Sequence, residues 1–140
     1  MGPLHSLIRM PKVVTLPSSA SIFEACQKMA EHLIGSIIVM DAEEVVGIFT
    51  ERDLLNRVVS KDLDPKKTKL GDVMSKNVKS ISIGETVENC YLKMQESKSR
   101  HIPVVDAGKL VGVVTMRNIL EWLTDEIKQE NLFLKNYIQS

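Results

Sequence analysis

Apolar residues along this chain fall in helical stripes and in short strand-like runs, and the order of the two occurs twice. Val13–Leu16 reads as a short strand that Pro17 stops. Ser21-Ile22-Phe23-Glu24 has the form of a capping box, whose hydroxyl and carboxylate can satisfy free amides at a helix start. Ile22, Cys26, Met29 and Leu33 then fall at i, i+4, i+7 and i+11, one face of a helix that Gly35 ends. Ser36–Met40 is a buried strand, Asp41-Ala42-Glu43 a turn, and Glu44–Phe49 the next strand. A second helix runs from Thr50 or Glu51 to about Val59. Lys61–Lys69 is a polar linker broken by Pro65.

The pattern then restarts. Val78–Ile83 is strand-like, and Thr86 caps a helix that turns Val87, Cys90, Tyr91 and Met94 inward. Ile102–Val105 is a strand, Asp106-Ala107-Gly108 a turn, Leu110–Val114 a strand, and a helix begins after Thr115. The divisions are a first repeat over 8–60, a linker over 61–69, a second repeat over 70–124 and a helical tail over 125–140. Each repeat is β-α-β-β-α, with too few strands for an independent sheet, so the two are expected to face each other over one shared core. Leu7, Ile8 and Met10 of the entry arm are expected to pack on it.

The repetition has one register. Gly47-Ile-Phe-Thr-Glu-Arg-Asp-Leu-Leu55 returns as Gly112-Val-Val-Thr-Met-Arg-Asn-Ile-Leu120, with Thr115 lying 65 positions after Thr50. The same step carries Val13 to Val78, Lys28-Met29 to Lys93-Met94, Val39 to Val104 and Asp41-Ala42 to Asp106-Ala107. A single register held this far identifies a tandem duplication.

Composition narrows the class. Over 140 residues, 44% hydrophobic and 26% charged residues are ordinary for one globular domain. Eighteen basic residues balance eighteen acidic ones, so the chain lacks the field of a non-specific nucleic-acid binder. Cys26 and Cys90 form no Cys-x-x-Cys and read as buried free thiols of a reducing compartment. The first residues lack the shape of a signal peptide, and no stretch approaches the ~20 apolar residues of a membrane span. A soluble cytoplasmic protein is expected.

Two constellations carry candidate chemistry. Thr50-x-x-Asp53 at a strand-to-helix junction is a capping box by spacing alone. The same junction is also a natural nucleotide site, where a carboxylate can accept from both ribose hydroxyls. Spacing favours the cap and leaves the second reading open. In Ser99-Arg100-His101-Ile102-Pro103-Val104-Val105-Asp106, two potential cations precede a buried strand, and Pro103, having no amide, leaves backbone groups free. Alone, this stretch is better read as a solvated turn with ordinary charges. No nucleophile motif or metal-ligand spacing of His5, His32 and His101 occurs, and no catalytic role is expected.

Taken together, the doubled Gly-h-h-Thr-x-x-Asp closure (h, apolar) and the His-Ile-Pro-Val-Val-Asp strand resemble a tandem cystathionine-β-synthase (CBS) domain pair over about residues 8–124. The resemblance implies an α+β fold, two β-α-β-β-α repeats about a pseudo-twofold axis, forming a regulatory module that binds adenosyl ligands between the repeats. The expected ligand is an adenine nucleotide (AMP, ADP or ATP), the change being passed to a partner protein on another polypeptide. The alternatives are S-adenosylmethionine or an interaction module without a nucleotide. The implied main site comprises Thr50, Asp53, Val78, Ser80, Arg100, His101, Ile102 and Pro103, with Asp53 on the ribose and Arg100 and His101 on the phosphates. The implied mirror site comprises Val13, Thr15, Ser36, Ile37, Ile38, Thr115 and Asn118. It is the weaker one, because Asn118 replaces the aspartate and Gly35-Ser36 replaces Arg100-His101.

The tail has no counterpart in the first repeat. Its stripe of Leu123, Ile127, Leu134 and Ile138 lies beside Trp122, Phe133 and Tyr137, three of the chain's six aromatic residues. Packing on its own subunit and facing a partner are both open readings. With Leu54, Leu55 and Val58 of the second helix, the stripe leads to the expectation of a homodimer.

Overall fold

The computed structural model describes Leu4 and residues 13–139. The first repeat contains β1 (Thr15–Leu16), α1 (Ile22–His32), β2 (Ser36–Asp41), β3 (Glu44–Thr50) and α2 (Glu51–Asp53). The helix begun by α2 widens to a π-helical turn over Leu54–Val58 and tightens to a 3-10 turn over Val59–Lys61. After the short α3 (Leu70–Val73), the second repeat contains β4 (Ile81–Ser82), α4 (Val87–Ser97), β5 (His101–Asp106), β6 (Lys109–Thr115) and α5 (Met116–Gln139). It is an α+β fold of two three-stranded sheets, each with one parallel and one antiparallel pairing about its middle strand.

The 65-residue step survives in three dimensions. Leu16 pairs with Val39 as Ile81 pairs with Val104, and Ser36 pairs with Thr50 as His101 pairs with Thr115. The bulge between Val39 and Met40 recurs between Val104 and Val105. Even the left-handed positions repeat: Leu33 and Lys98 cap α1 and α4 at φ 54 and 52, and Ala42-Glu43 and Ala107-Gly108 form the hairpin turns. Both turns have two positive-φ central residues, the geometry whose twist suits an antiparallel pair.

Several expectations change. There are two apolar clusters, one per repeat, and not one shared core. Each three-stranded sheet buries one face against its own helix and the lead-in of the other repeat, which gives each half its own interior. The buried stripe of α1 is Ile22, Ala25 and Met29, matched in α4 by Val87, Cys90 and Met94. Cys26 is only half-buried, Tyr91 is exposed, and Leu33 is 92% exposed. Leu33 leaves the stripe because it is itself the αL cap, its N–H closing onto Ala30 and Met29 carbonyls, so the helix stops before Gly35. On the second helix Val58 is fully buried and Leu54 packs on the core, leaving Leu55 and Val59 outside, since the π turn rotates the face. Finally, Ser21 accepts from the Glu24 N–H at 3.1 Å but the helix start shows no reciprocal bond from the Glu24 carboxylate.

The repeats exchange their lead-ins. Leu70, fully buried, packs with Val73 and Met74 in the first cluster, its N–H donating to Ala20 O at 2.8 Å. Leu4, fully buried in the second cluster, donates to Glu85 O at 3.0 Å. Ala20 and Glu85 are themselves 65 apart, so each repeat is completed by the segment preceding the other. The expectations for Leu7, Ile8 and Met10 lie outside the described residues.

Candidate functional site

The carboxyl end of β3 delivers Thr50 in an extended conformation, and the chain turns at once into α2. Thr50 Oγ1 accepts from the Asp53 N–H at 3.2 Å, and Asp53 Oδ2 accepts from the Thr50 N–H at 3.0 Å. This is a complete capping box, and it leaves Asp53 8% exposed. A third partner comes from the second repeat's lead-in. The backbones of Ile48 and Ser75 exchange hydrogen bonds at 3.0 and 2.9 Å, which brings the Ser75 hydroxyl to 3.3 Å from Asp53 Oδ1. Gly47 permits that approach, because a Cβ there would stand 2.9 Å from Ser75 O. Arg57 Nε lies 3.7 Å from Asp53 Oδ1, while its Nη1 donates to the Val73 and Met74 carbonyls. An ionised carboxylate offers about four acceptor positions, so Asp53 retains capacity beyond these partners.

Above this junction opens a cleft of about 420 Å³ walled by both repeats. It brings together six of the eight main-site residues expected from the sequence: Thr50, Asp53, Val78, Arg100, His101 and Ile102. Ser80 instead borders a separate hollow of about 330 Å³ with Met40, Val45, Val105 and Leu110. Pro103 is buried within β5, opposite Val113. Its effect reaches the cleft indirectly. In the first repeat Ile38 N–H donates to Val14 O at 3.4 Å, whereas Pro103, at the corresponding position, has no N–H to give Lys79 O. Lys79 lines the cleft, so that carbonyl is left for another donor.

His101 is half-buried where β5 begins, its backbone fixed by two bonds with the Ser99 hydroxyl at 2.8 and 3.3 Å. Burial pushes its pKa below the ordinary value; Glu51 of the first repeat opposes this and Arg100 adds to it. The imidazole is therefore neutral at pH 7 without a ligand, where the sequence had offered it as a cation.

The cleft also contains residues that sequence reasoning passed over. Glu51 and Arg52 are the two interior positions of Thr-x-x-Asp, and a helix's first turn beside a site was their available signal. Lys79 and Lys98 flank the second-repeat strands, and Ser75 and Asn77 arrive on the lead-in, for which no local pattern existed.

The mirror junction has the same local chemistry. Thr115 N–H donates to Asn118 Oδ1 at 2.9 Å, and Asn118 N–H to Thr115 Oγ1 at 3.1 Å. Ser36 and Ile38 are buried on β2, Thr15 is exposed on β1 and Val13 half-buried before it, while Ile37 belongs to the first core. An amide there is neutral, so the junction lacks the acceptor charge that Asp53 provides. Among the described residues, no three His, Cys, Asp or Glu side chains are grouped to hold a metal ion, and no helix is long and apolar enough to cross a membrane.

A doubled β-α-β-β-α unit with a Thr-x-x-Asp junction opening onto an inter-repeat cleft defines a class of paired ligand-binding repeats. The sequence pattern of the CBS domain matches residues 7–60 and again 70–125, and the chain belongs to that family. A CBS domain-containing protein of Arabidopsis thaliana is 31% identical over 114 residues, 81% of this chain, which spans only 21% of that relative's length. Among solved structures, a CBS domain protein from Pyrobaculum aerophilum complexed with AMP superposes with a TM-score of 0.76 at 26% identity, covering 88% of this chain and 98% of the other. The CBS domain pair of protein MJ0100, in complex with 5′-methylthioadenosine and S-adenosyl-L-methionine, gives 0.80 at 25% identity, with 89% and 98% covered.

Proposed function

We propose that the chain is a regulatory module that binds an adenine nucleotide in the Asp53 cleft and passes the resulting change to a partner protein. One observation carries the reading: a single cleft between the repeats holds a buried carboxylate at one side and Arg100 with His101 at another. In this reading Asp53 accepts from the ribose hydroxyls, displacing the long Ser75 bonds of 3.3 and 3.4 Å. The adenine lies on Ile48, Val78 and Ile102, its amino group donating to the Lys79 carbonyl that Pro103 leaves free. Arg100 offers a guanidinium fork to phosphate, and His101 gains a proton as the phosphate arrives. The AMP complex of the Pyrobaculum protein supports a nucleotide. The ligands of protein MJ0100 make S-adenosylmethionine the specific competitor.

Thr115 and Asn118, with Val13, Thr15, Ser36, Ile37 and Ile38, form the weaker second cleft. The module acts as a homodimer, with no catalytic cofactor. Thermal melts with AMP, ATP and S-adenosylmethionine test the reading. A ligand at 100 times its dissociation constant adds about 2.7 kcal/mol if it binds only the folded chain. A melting temperature unmoved by all three would leave the interaction-module reading, which the exposed apolar stripe of α5 favours.

A further inference from the structure

We propose that the Asp53 cleft is built for a nucleotide with a chain of phosphates, and that Lys79 and Lys98 set this preference. The inference rests on the nucleotide reading above and adds the phosphate count to it. The cleft walls carry Arg52, Lys79, Lys98 and Arg100 against the carboxylates of Glu51 and Asp53. Over the whole chain the two signs balance at eighteen each, so this excess of cations is local.

The duplication supplies an internal control. Arg52 has its equivalent in Arg117, but Lys79, Lys98 and Arg100 stand where the first repeat has Val14, Leu33 and Gly35. Three cations thus separate the second repeat from the first at positions that all face one cleft. Lys98 is not needed by the backbone, since Leu33 holds the same αL cap at φ 54 that Lys98 holds at φ 52. Nor are the three cations committed elsewhere, since among the described residues none of them makes a salt bridge, and all three are exposed. Lys98 also sits at the carbonyl end of α4, where a cation is favoured by the helix dipole, but that gives no reason for Lys79.

A single phosphate carries about two negative charges near neutral pH, and Arg100 with a protonated His101 suffices for it. Further phosphates bring further charge, which the two lysines, set just before the paired strands β4 and β5, are placed to meet. A sulfonium ligand would instead add positive charge to an already positive cleft, so the same arrangement disfavours S-adenosylmethionine.

Calorimetry of the full chain with AMP, ADP, ATP and S-adenosylmethionine, in EDTA, tests this. Affinity should rise with phosphate number, ATP binding roughly tenfold tighter than AMP, a difference of about 1.4 kcal/mol. ATP affinity should also fall more steeply with added salt. The double variant Lys79→Val, Lys98→Leu installs the residues the first repeat already folds with, and it should bring the ATP-to-AMP affinity ratio close to one. Lys79→Gln, Lys98→Gln repeats the test with polar side chains. Equal affinity for AMP and ATP in the parent, a ratio that survives both double variants, or tighter binding of S-adenosylmethionine than of ATP overturns the inference while leaving an adenosyl site intact. Binding of none of the four overturns this inference and the nucleotide reading together.

Discussion

Gly35 of the first repeat faces His101 of the second: a Cβ on Gly35 would stand 3.6 Å from His101 Nε2 and would collide with the Glu51 carboxylate. The repeats come together here over a position that has no side chain. The colliding atom is the free end of a flexible chain, and His101 is at ordinary contact distance.

Gly35→Ala should therefore be tolerated, lowering the melting temperature by no more than about 2–4 °C, the equivalent of about 1 kcal/mol at this size. Gly35→Leu should fill the mouth of the cleft and weaken nucleotide binding severalfold or more in a titration. Parental affinity in a folded Gly35→Leu protein would place the ligand elsewhere.

Asp53→Ala removes the charged acceptor proposed for the ribose, and Asn118→Ala only a neutral one. Charge-assisted hydrogen bonds contribute about 1.5–3 kcal/mol, so Asp53→Ala should weaken AMP binding by well over tenfold, with Asn118→Ala nearly silent. Calorimetry should count one AMP site per chain. Because Asp53 also closes the capping box with Thr50, its loss should cost about 1 kcal/mol of stability. If Asn118→Ala is the more damaging change, the assignment of the two clefts is reversed.

The depressed pKa of His101 has a definite sign. Burial favours the neutral ring, so the unfolded chain binds the proton more readily than the folded one. The associated stability is complete above the ordinary value of 6.5 and is lost as the pH falls through the lower folded value. Thermal melts from pH 7.5 to 5 should show this decline without ligand, and His101→Asn should flatten part of it. A bound phosphate stabilises the imidazolium, so binding should take up protons near pH 7, read as a buffer-dependent heat. Identical heats in buffers of different ionisation enthalpy would exclude His101 from the phosphate contact.

For the assembly, the exposed apolar residues include Leu55 and Val59 on the second helix, with Leu120, Leu123, Ile127, Leu134 and Ile138 along α5. A homodimer that covers the α5 stripe should give a dimer mass by light scattering at tens of micromolar protein, and Ile127→Glu with Leu134→Glu should reduce it to a monomer. A parent that is already monomeric at that concentration would refute it.

Leu4 is fully buried in the second cluster although it lies far from that repeat in sequence. Leu4→Ala should cost about 2–5 kcal/mol, the range for a buried leucine, and Leu70→Ala should cost a similar amount in the first cluster. Denaturant titrations that leave Leu4→Ala at parental stability would mean that the lead-in is not part of the folding unit.

Local chemistry was legible in the residues themselves. Ser21 and Thr86 as caps and the Thr50–Asp53 box follow from neighbours within a few positions, and the duplication from one register repeated at 65 residues. Errors arose where a local pattern met a competing local rule. Leu33 fits an apolar stripe by count, yet it is the αL cap, and the π turn after Asp53 rotates Val58 inward without any mark in the spacing.

By itself, the sequence determined the duplication and the order of elements, which depend on periodicity and repetition, while six of the residues that line the cleft came from the resemblance of its motifs to a CBS domain pair. Only the tertiary structure decided that Leu4 and Leu70 cross to opposite repeats, that Ser75 and Arg57 hold Asp53, and that Lys79 and Lys98 line one cleft with Arg52. Those contacts join parts of the chain that no periodicity relates. They depend on how two completed sheets pack, and a hydrophobic pattern specifies which face is buried without naming what covers it.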